Sequence, residues 1–138
     1  YTINYSHEDV AKRVREITGG VGVEAAFDSV GKDTFEGSIN SIKRRGLMVC
    51  LGTASGGVPP FNPQLLAMKG SLFLTRPASA DYLADPAEKT ELARELFEQV
   101  AAGRIKVDIS KRYELEEAAQ AHRDLEARKI IGSAIFTV

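Results

Sequence analysis

The stretch Arg45-Gly46-Leu47-Met48-Val49-Cys50-Leu51-Gly52-Thr53-Ala54-Ser55-Gly56-Gly57 constrains this chain more than any other. Apolar residues run unbroken from Leu47 to Leu51 and then give way at once to small ones. Such a run, bounded by glycines, fits a strand covered on both faces, as in a parallel sheet. In open α/β sheets, ligands lie in the crevice beyond the carboxyl ends of such strands. Gly52, Gly56 and Gly57 would let a backbone come close to a ligand, and Thr53 and Ser55 would bring hydroxyls to the same place. The stretch is read as one wall of a nucleotide site, with a plain βα turn as the competing reading.

The chain before it completes an alternating pattern. Ile3 to Tyr5 reads as the end of a strand, and Ser6 with Asp9 three residues on resembles a capping box that opens a helix. Val10, Val14 and Ile17 form its apolar face, and Gly19-Gly20 ends it. Val23 to Asp28 is a short strand that closes in Ser29-Val30-Gly31. Asp33 and Glu36 start a second helix, with Phe35, Ile39 and Ile42 as its buried stripe and Lys43, Arg44 and Arg45 at its C-terminal end. The whole reads βαβαβ, which implies a parallel sheet with right-handed crossovers. The strand ends after Asp28 and Leu51 are then expected on one rim.

Beyond the glycine loop, the prolines of Val58 to Pro63 forbid a ladder. Gln64 to Met68 reads as a helical turn or two, and Ser71 to Thr75 as a fourth strand stopped by Arg76-Pro77. Asp85-Pro86-Ala87-Glu88 is a helix start, with Asp at the N-cap and Pro at the first helical position. Leu92, Leu96, Phe97 and Val100 make its apolar face, and Gly103 stops it. Ile105 to Ile109 alternates like a half-exposed strand. Glu114 to Lys129 is expected as a polar helix with a stripe of Leu115, Ala118, His122 and Leu125, and Ser133 to Val138 as a last strand. This tail breaks the earlier alternation, so a boundary is expected near Pro77, giving segments 1–77 and 78–138.

Composition narrows the function. A net charge of -1 over 138 residues argues against a nucleic-acid or anionic-membrane binder. No apolar run approaches the roughly 18–20 residues that span a bilayer, and Cys50 is the only cysteine, so a cytoplasmic protein is the expectation. The opening Tyr1-Thr2-Ile3, with a helix signal close behind, reads as a chain entered partway through a fold. His7, His122 and Cys50 make no metal-ligand set, and Cys50, inside an apolar strand, reads as an inert thiol. No GxGxxG turn joins a strand to a helix; Gly19-Gly20-Val21-Gly22 has the opposite order. A dinucleotide's pyrophosphate loop would therefore lie upstream of Tyr1.

The strings INYSHEDVAKRVREITGG, FDSVGKDTFEGSI, RRGLMVCLGTASG, KGSLFLTRP and AHRDLEARKIIGSAI resemble the C-terminal part of the zeta-crystallin-like NADPH:quinone oxidoreductases. These form the zinc-independent branch of the medium-chain dehydrogenases/reductases. The resemblance covers essentially the whole chain. It implies an α/β fold: a partial Rossmann-type parallel sheet, followed by the C-terminal piece of a GroES-like catalytic domain. By the same resemblance Tyr5 would bound the 2′-phosphate of NADPH, and Arg128 would reach that phosphate. A guanidinium fork suits the task, although an arginine at a helix C-terminus also simply serves the dipole. Val30 would touch the adenine or ribose side. Gly52, Thr53, Ala54 and Ser55 would line the nicotinamide ribose and ring, and Pro77, Ala78 and Ser79 the carboxamide. Leu51 departs from members that carry an aromatic residue there.

The expectation is an oxidoreductase that passes a hydride from NADPH to a quinone or enone, with no catalytic residue and no metal ligand in this segment. The resemblance also implies a homodimer through the edge strand Ser71–Thr75. The rival readings are a related enoyl reductase or zinc alcohol dehydrogenase and, in another class, a non-redox α/β binding module.

Overall fold

The first helix starts at Asp9, not Ser6, in the computed structural model, which describes residues 1–138. The Asp9 carboxylate accepts the Lys12 N–H at 3.0 Å and caps α1, Val10–Ile17. Ser6 lies in the preceding turn, where the Asn4 carbonyl accepts from both His7 and Glu8. That turn also removes the expected strand at Ile3 to Tyr5, because Asn4 N–H is taken by the Glu8 carboxylate at 2.7 Å instead of a ladder. A strand exists only where a neighbour pairs with it, and none does there.

Val23–Asp28 forms β1, Phe35–Ser41 forms α2, and Ile42–Cys50 forms β2. α2 begins after Thr34, one residue later than Asp33 suggests. Lys43, Arg44 and Arg45 do not end the helix; they sit in an irregular opening of β2. There the register jumps from Val23 opposite Ile42 to Ala25 opposite Leu47. Arg45 takes a left-handed conformation (φ 61°) and donates its N–H to the Gly70 carbonyl at 2.8 Å. Met48, Val49 and Cys50 are buried in succession, as a strand covered on both faces requires. The core joins Phe35, Ile39, Ile42, Met48, Cys50 and Leu72. At the end of α1 the Arg15 guanidinium gathers the carbonyls of Gly20, Val21, Asn40 and Ile42, so one cation satisfies four acceptors.

α3, Gln64–Met68, leads into β3, Phe73–Thr75. β3 starts later than the sequence suggests because Ser71 and Leu72 still close α3, donating to Ala67 and Leu66. The sheet order is β1-β2-β3, with both pairings parallel. A short helix not foreseen in the sequence, α4, spans Ser79–Tyr82.

The chain divides into two units, Tyr1–Ala84 and Asp85–Val138. The second opens with α5, Pro86–Ala101, capped as expected by Asp85, which accepts from Ala87 at 2.7 Å. Leu92, Leu96 and Phe97 on its apolar face are exposed. β4 runs Ile109–Glu114 and pairs in parallel with β5, Ser133–Thr137. β5 begins opposite Ile109 and reaches further back only through Ser133, whose N–H donates to the Asp108 carbonyl at 2.8 Å, so Ile105 to Asp108 form no strand. A 3₁₀ turn at Leu115–Glu117, closed by a Glu114/Glu117 capping box, precedes α6, Ala118–Glu126. The buried face of α6 is Ala121 and Asp124, while Leu115 and Leu125 face outward. No helix is long and apolar enough to cross a membrane.

Candidate functional site

Parallel pairing of β1 with β2 puts Asp28 opposite Cys50, so the turns that follow leave the sheet at the same rim. Those turns are joined. Leu51 and Gly52 donate to the Asp28 carbonyl, Ser55 N–H donates to Val30 at 2.8 Å, and Lys32 N–H donates to Gly56 at 3.1 Å. The contact is so close that a Cβ on Gly31 would stand 2.4 Å from the Gly56 carbonyl oxygen. One on Gly52 would stand 2.3 Å from that of Ser29. Gly31 also has φ +93°, which side chains rarely adopt. The glycines of the rim therefore serve first to let two loops touch.

Beneath them lies Asp28, only 4% exposed, a residue that sequence reasoning passed over. Its carboxylate accepts the N–H groups of Val30 and Gly31, both at 2.9 Å, and the hydroxyls of Thr34 and Ser38 at 2.8 and 2.7 Å. Burial pushes its pKa up, but the hydrogen bonds from Gly31, Ser38, Thr34 and Val30 outweigh burial and leave it below the usual carboxylate range. The available signal was local: an acid at a strand end, followed by hydroxyl residues six and ten positions on. Cys50, also buried, has its thiol pKa pushed up by burial and by the Asp28 charge.

Tyr5 and Val30 line one cavity of about 550 Å³, together with Phe27 and Ser29. Its wall also carries Glu8, Asp9, Asp33 and Glu36 and no lysine or arginine. Beside those carboxylates a phosphate would need a cation from outside the cavity, whereas an uncharged ring or a ribose hydroxyl needs none. Pro77, Ala78 and Ser79 line a second cavity of about 750 Å³ with Leu51, Arg76 and Tyr82. On the rim, Thr53 and Ala54 are exposed. The Ser55 hydroxyl, by contrast, donates to the Val30 carbonyl at 2.9 Å and accepts the Asp33 N–H at 3.0 Å.

Arg128 belongs to the second unit and follows α6. Its N–H donates to Leu125 at 3.0 Å, the Lys129 N–H donates to Asp124 at 2.9 Å, and Arg128 itself is left-handed, with φ 56°. This is a Schellman ending with arginine where glycine is usual. The side chain is exposed. Asp124 anchors that turn: its carboxylate accepts from Tyr113 at 2.9 Å, Lys111 at 3.1 Å and Gln120 at 3.0 Å. Those three bonds, Tyr113 foremost, hold its pKa down to about 2.

A family model described as zinc-binding dehydrogenase matches residues 1–135. The quinone oxidoreductase of Salmonella typhimurium is 48% identical over 136 residues, covering 97% of this chain and 42% of the relative. A 2-haloacrylate reductase from Burkholderia sp is 43% identical over 137 residues, covering 99% of this chain and 41% of its own length. Among solved structures, Escherichia coli quinone oxidoreductase complexed with NADPH superposes with a TM-score of 0.92 at 45% identity, over 99% of this chain and 42% of that one. The chain thus spans about 42% of the length of such relatives. The zinc of the family's description finds no holder here: no three His, Cys, Asp or Glu side chains converge, and Cys50 is a buried, protonated thiol. A match along nearly the whole chain, on a fold whose parallel strands and joined rim agree with it, places this protein in the zinc-binding dehydrogenase family.

Proposed function

We propose that this chain is the coenzyme-side part of an oxidoreductase that transfers a hydride from NADPH to a quinone or an α,β-unsaturated carbonyl. The observation that carries the reading is the joined rim after β1 and β2, at the carboxyl ends of parallel strands, where α/β sheets receive nucleotides. Likeness to an NADPH-bound quinone oxidoreductase at 45% identity supports it. Bound NADPH would supply the hydride. This chain's residues would hold and orient it and keep water away.

Val30, with Tyr5 in the same acid-lined cavity, would take the adenosine side; Tyr5 offers a phosphate oxygen a hydrogen bond without adding charge. Gly52, Thr53, Ala54 and Ser55 would bound the nicotinamide ribose and ring, and Pro77, Ala78 and Ser79 the carboxamide. Arg128 would grip the 2′-phosphate, a role that suits an exposed guanidinium. We assign residues 1–77 to the nucleotide-binding domain and 78–138 to a returning piece of the catalytic domain. A homodimer through Ser71–Thr75 and a cytoplasmic location complete the reading. The 43% identical 2-haloacrylate reductase favours activated alkenes as a second acceptor class.

The test uses the full-length protein. NADPH oxidation, followed by its absorbance, is expected with benzoquinones, with 2-haloacrylates and simple enones run in parallel. Arg128→Ala should raise KM for NADPH at least tenfold more than for NADH, since only NADPH carries the 2′-phosphate. No oxidation with any acceptor sinks the proposal, and equal loss for both coenzymes sinks the role of Arg128.

A further inference from the structure

The Ser55 hydroxyl is engaged by the neighbouring turn both as donor and as acceptor. It donates to the Val30 carbonyl at 2.9 Å and accepts from the Asp33 N–H at 3.0 Å. The same residue's N–H also donates to Val30 at 2.8 Å, so Ser55 holds that carbonyl with two donors. On the other side of the joint, the Asp28 carboxylate holds the N–H groups of Val30 and Gly31. Val30 is thus fixed from above through its carbonyl and from below through its N–H. A hydroxyl hydrogen spent on Val30 is not available to a ligand.

We propose that Ser55 is a positioning residue and not a ligand of the coenzyme: its hydroxyl latches the Gly52–Gly56 loop to the Ser29–Asp33 turn, so that the two walls of the coenzyme rim move as one body. The proposal rests on the reading that this rim receives NADPH, and it reassigns one residue within it. The latch sets where Val30 and the loop backbone stand, a placement that every nicotinamide dinucleotide depends on alike. Losing it costs the binding of NADPH and NADH equally, unlike the loss of a residue that recognises the 2′-phosphate. It also loosens the joint before any coenzyme arrives, which the loss of a ligand donor does not.

The experiment compares the full-length protein with its Ser55→Ala variant. In the coenzyme-free state, amide hydrogen exchange in the peptide spanning residues 29–38 should accelerate at least threefold, led by Asp33. KM should rise by one common factor for NADPH and NADH, about three- to tenfold for a lost hydrogen-bonded latch. An unmutated protein that oxidises no NADPH defeats the proposed function, and this inference with it. In a working enzyme, a raised KM with unchanged exchange makes Ser55 a direct ligand and overturns the latch alone. Faster exchange with an unchanged KM overturns it too, because the joint then has no bearing on the coenzyme.

Discussion

Two residues show how charge and backbone shape are set against each other. Asp28 is buried and ionised, with its carboxylate serving four donors. Asp28→Ala would leave those donors without an acceptor and should lower the stability of the full-length protein by about 3 kcal/mol, read from urea unfolding. Because the folded pKa lies below the unfolded one, the stabilisation is complete above about pH 4 and disappears as pH falls through the folded value. Asp28→Asn should therefore flatten part of the acid limb of a pH–stability curve. An unchanged limb would show that the charge contributes nothing. Asp124, held down to about 2, loses its contribution in the same acid window. Arg128 poses the opposite case, a side chain kept at a left-handed position that favours glycine. Arg128→Gly should stabilise the fold by about 0.5–1 kcal/mol while impairing NADPH use. A gain in both would mean that the arginine is kept for neither reason.

At the scale of elements, β3 is an edge of the sheet, and Phe73 on it is 61% exposed. An apolar edge strand left open invites pairing with another chain. Phe73→Asp should turn a dimer of the full-length protein into a monomer in sedimentation experiments, and a dimer that persists would move the interface elsewhere. The elements most legible in the sequence were those announced by their own chemistry. Asp85-Pro86 starts α5, Val23–Asp28 forms β1, and Phe35 and Ile39 fill the core as the helical spacing predicts, whereas Ile42, expected on the same helix, is buried as the first residue of β2. The misreadings came where a partner decides. Ile3 to Tyr5 and Ile105 to Asp108 look like strands but lie outside any ladder, and Lys43 to Arg45 look like a helix end but are claimed by the opening of β2. Residue pattern records preference for a pleat; it does not record which backbone lies alongside.

At the scale of the whole chain, the shared rim of two turns was legible, because consecutive parallel strands leave a sheet on the same side. What stood hidden was how that rim is held. Asp28 holds two backbone N–H groups and the hydroxyls of Thr34 and Ser38, Ser55 holds backbone groups some 22 to 25 positions away, and in sequence Ser55 looks like any hydroxyl near a ligand. Each unit keeps large apolar side chains in the open, Phe27 and Phe73 in the first and Phe97 and Leu125 in the second. Apolar surfaces of this size are typical of places where protein packs against protein. The thiol of Cys50 carries a consequence of its own. Quinones and activated alkenes are soft electrophiles that arylate or alkylate sulfur, and they do so through the thiolate. Buried under the rim, with its pKa pushed up by that burial first and by the Asp28 charge second, the one sulfhydryl of this chain is a poor target for the electrophiles that the proposed reaction would consume.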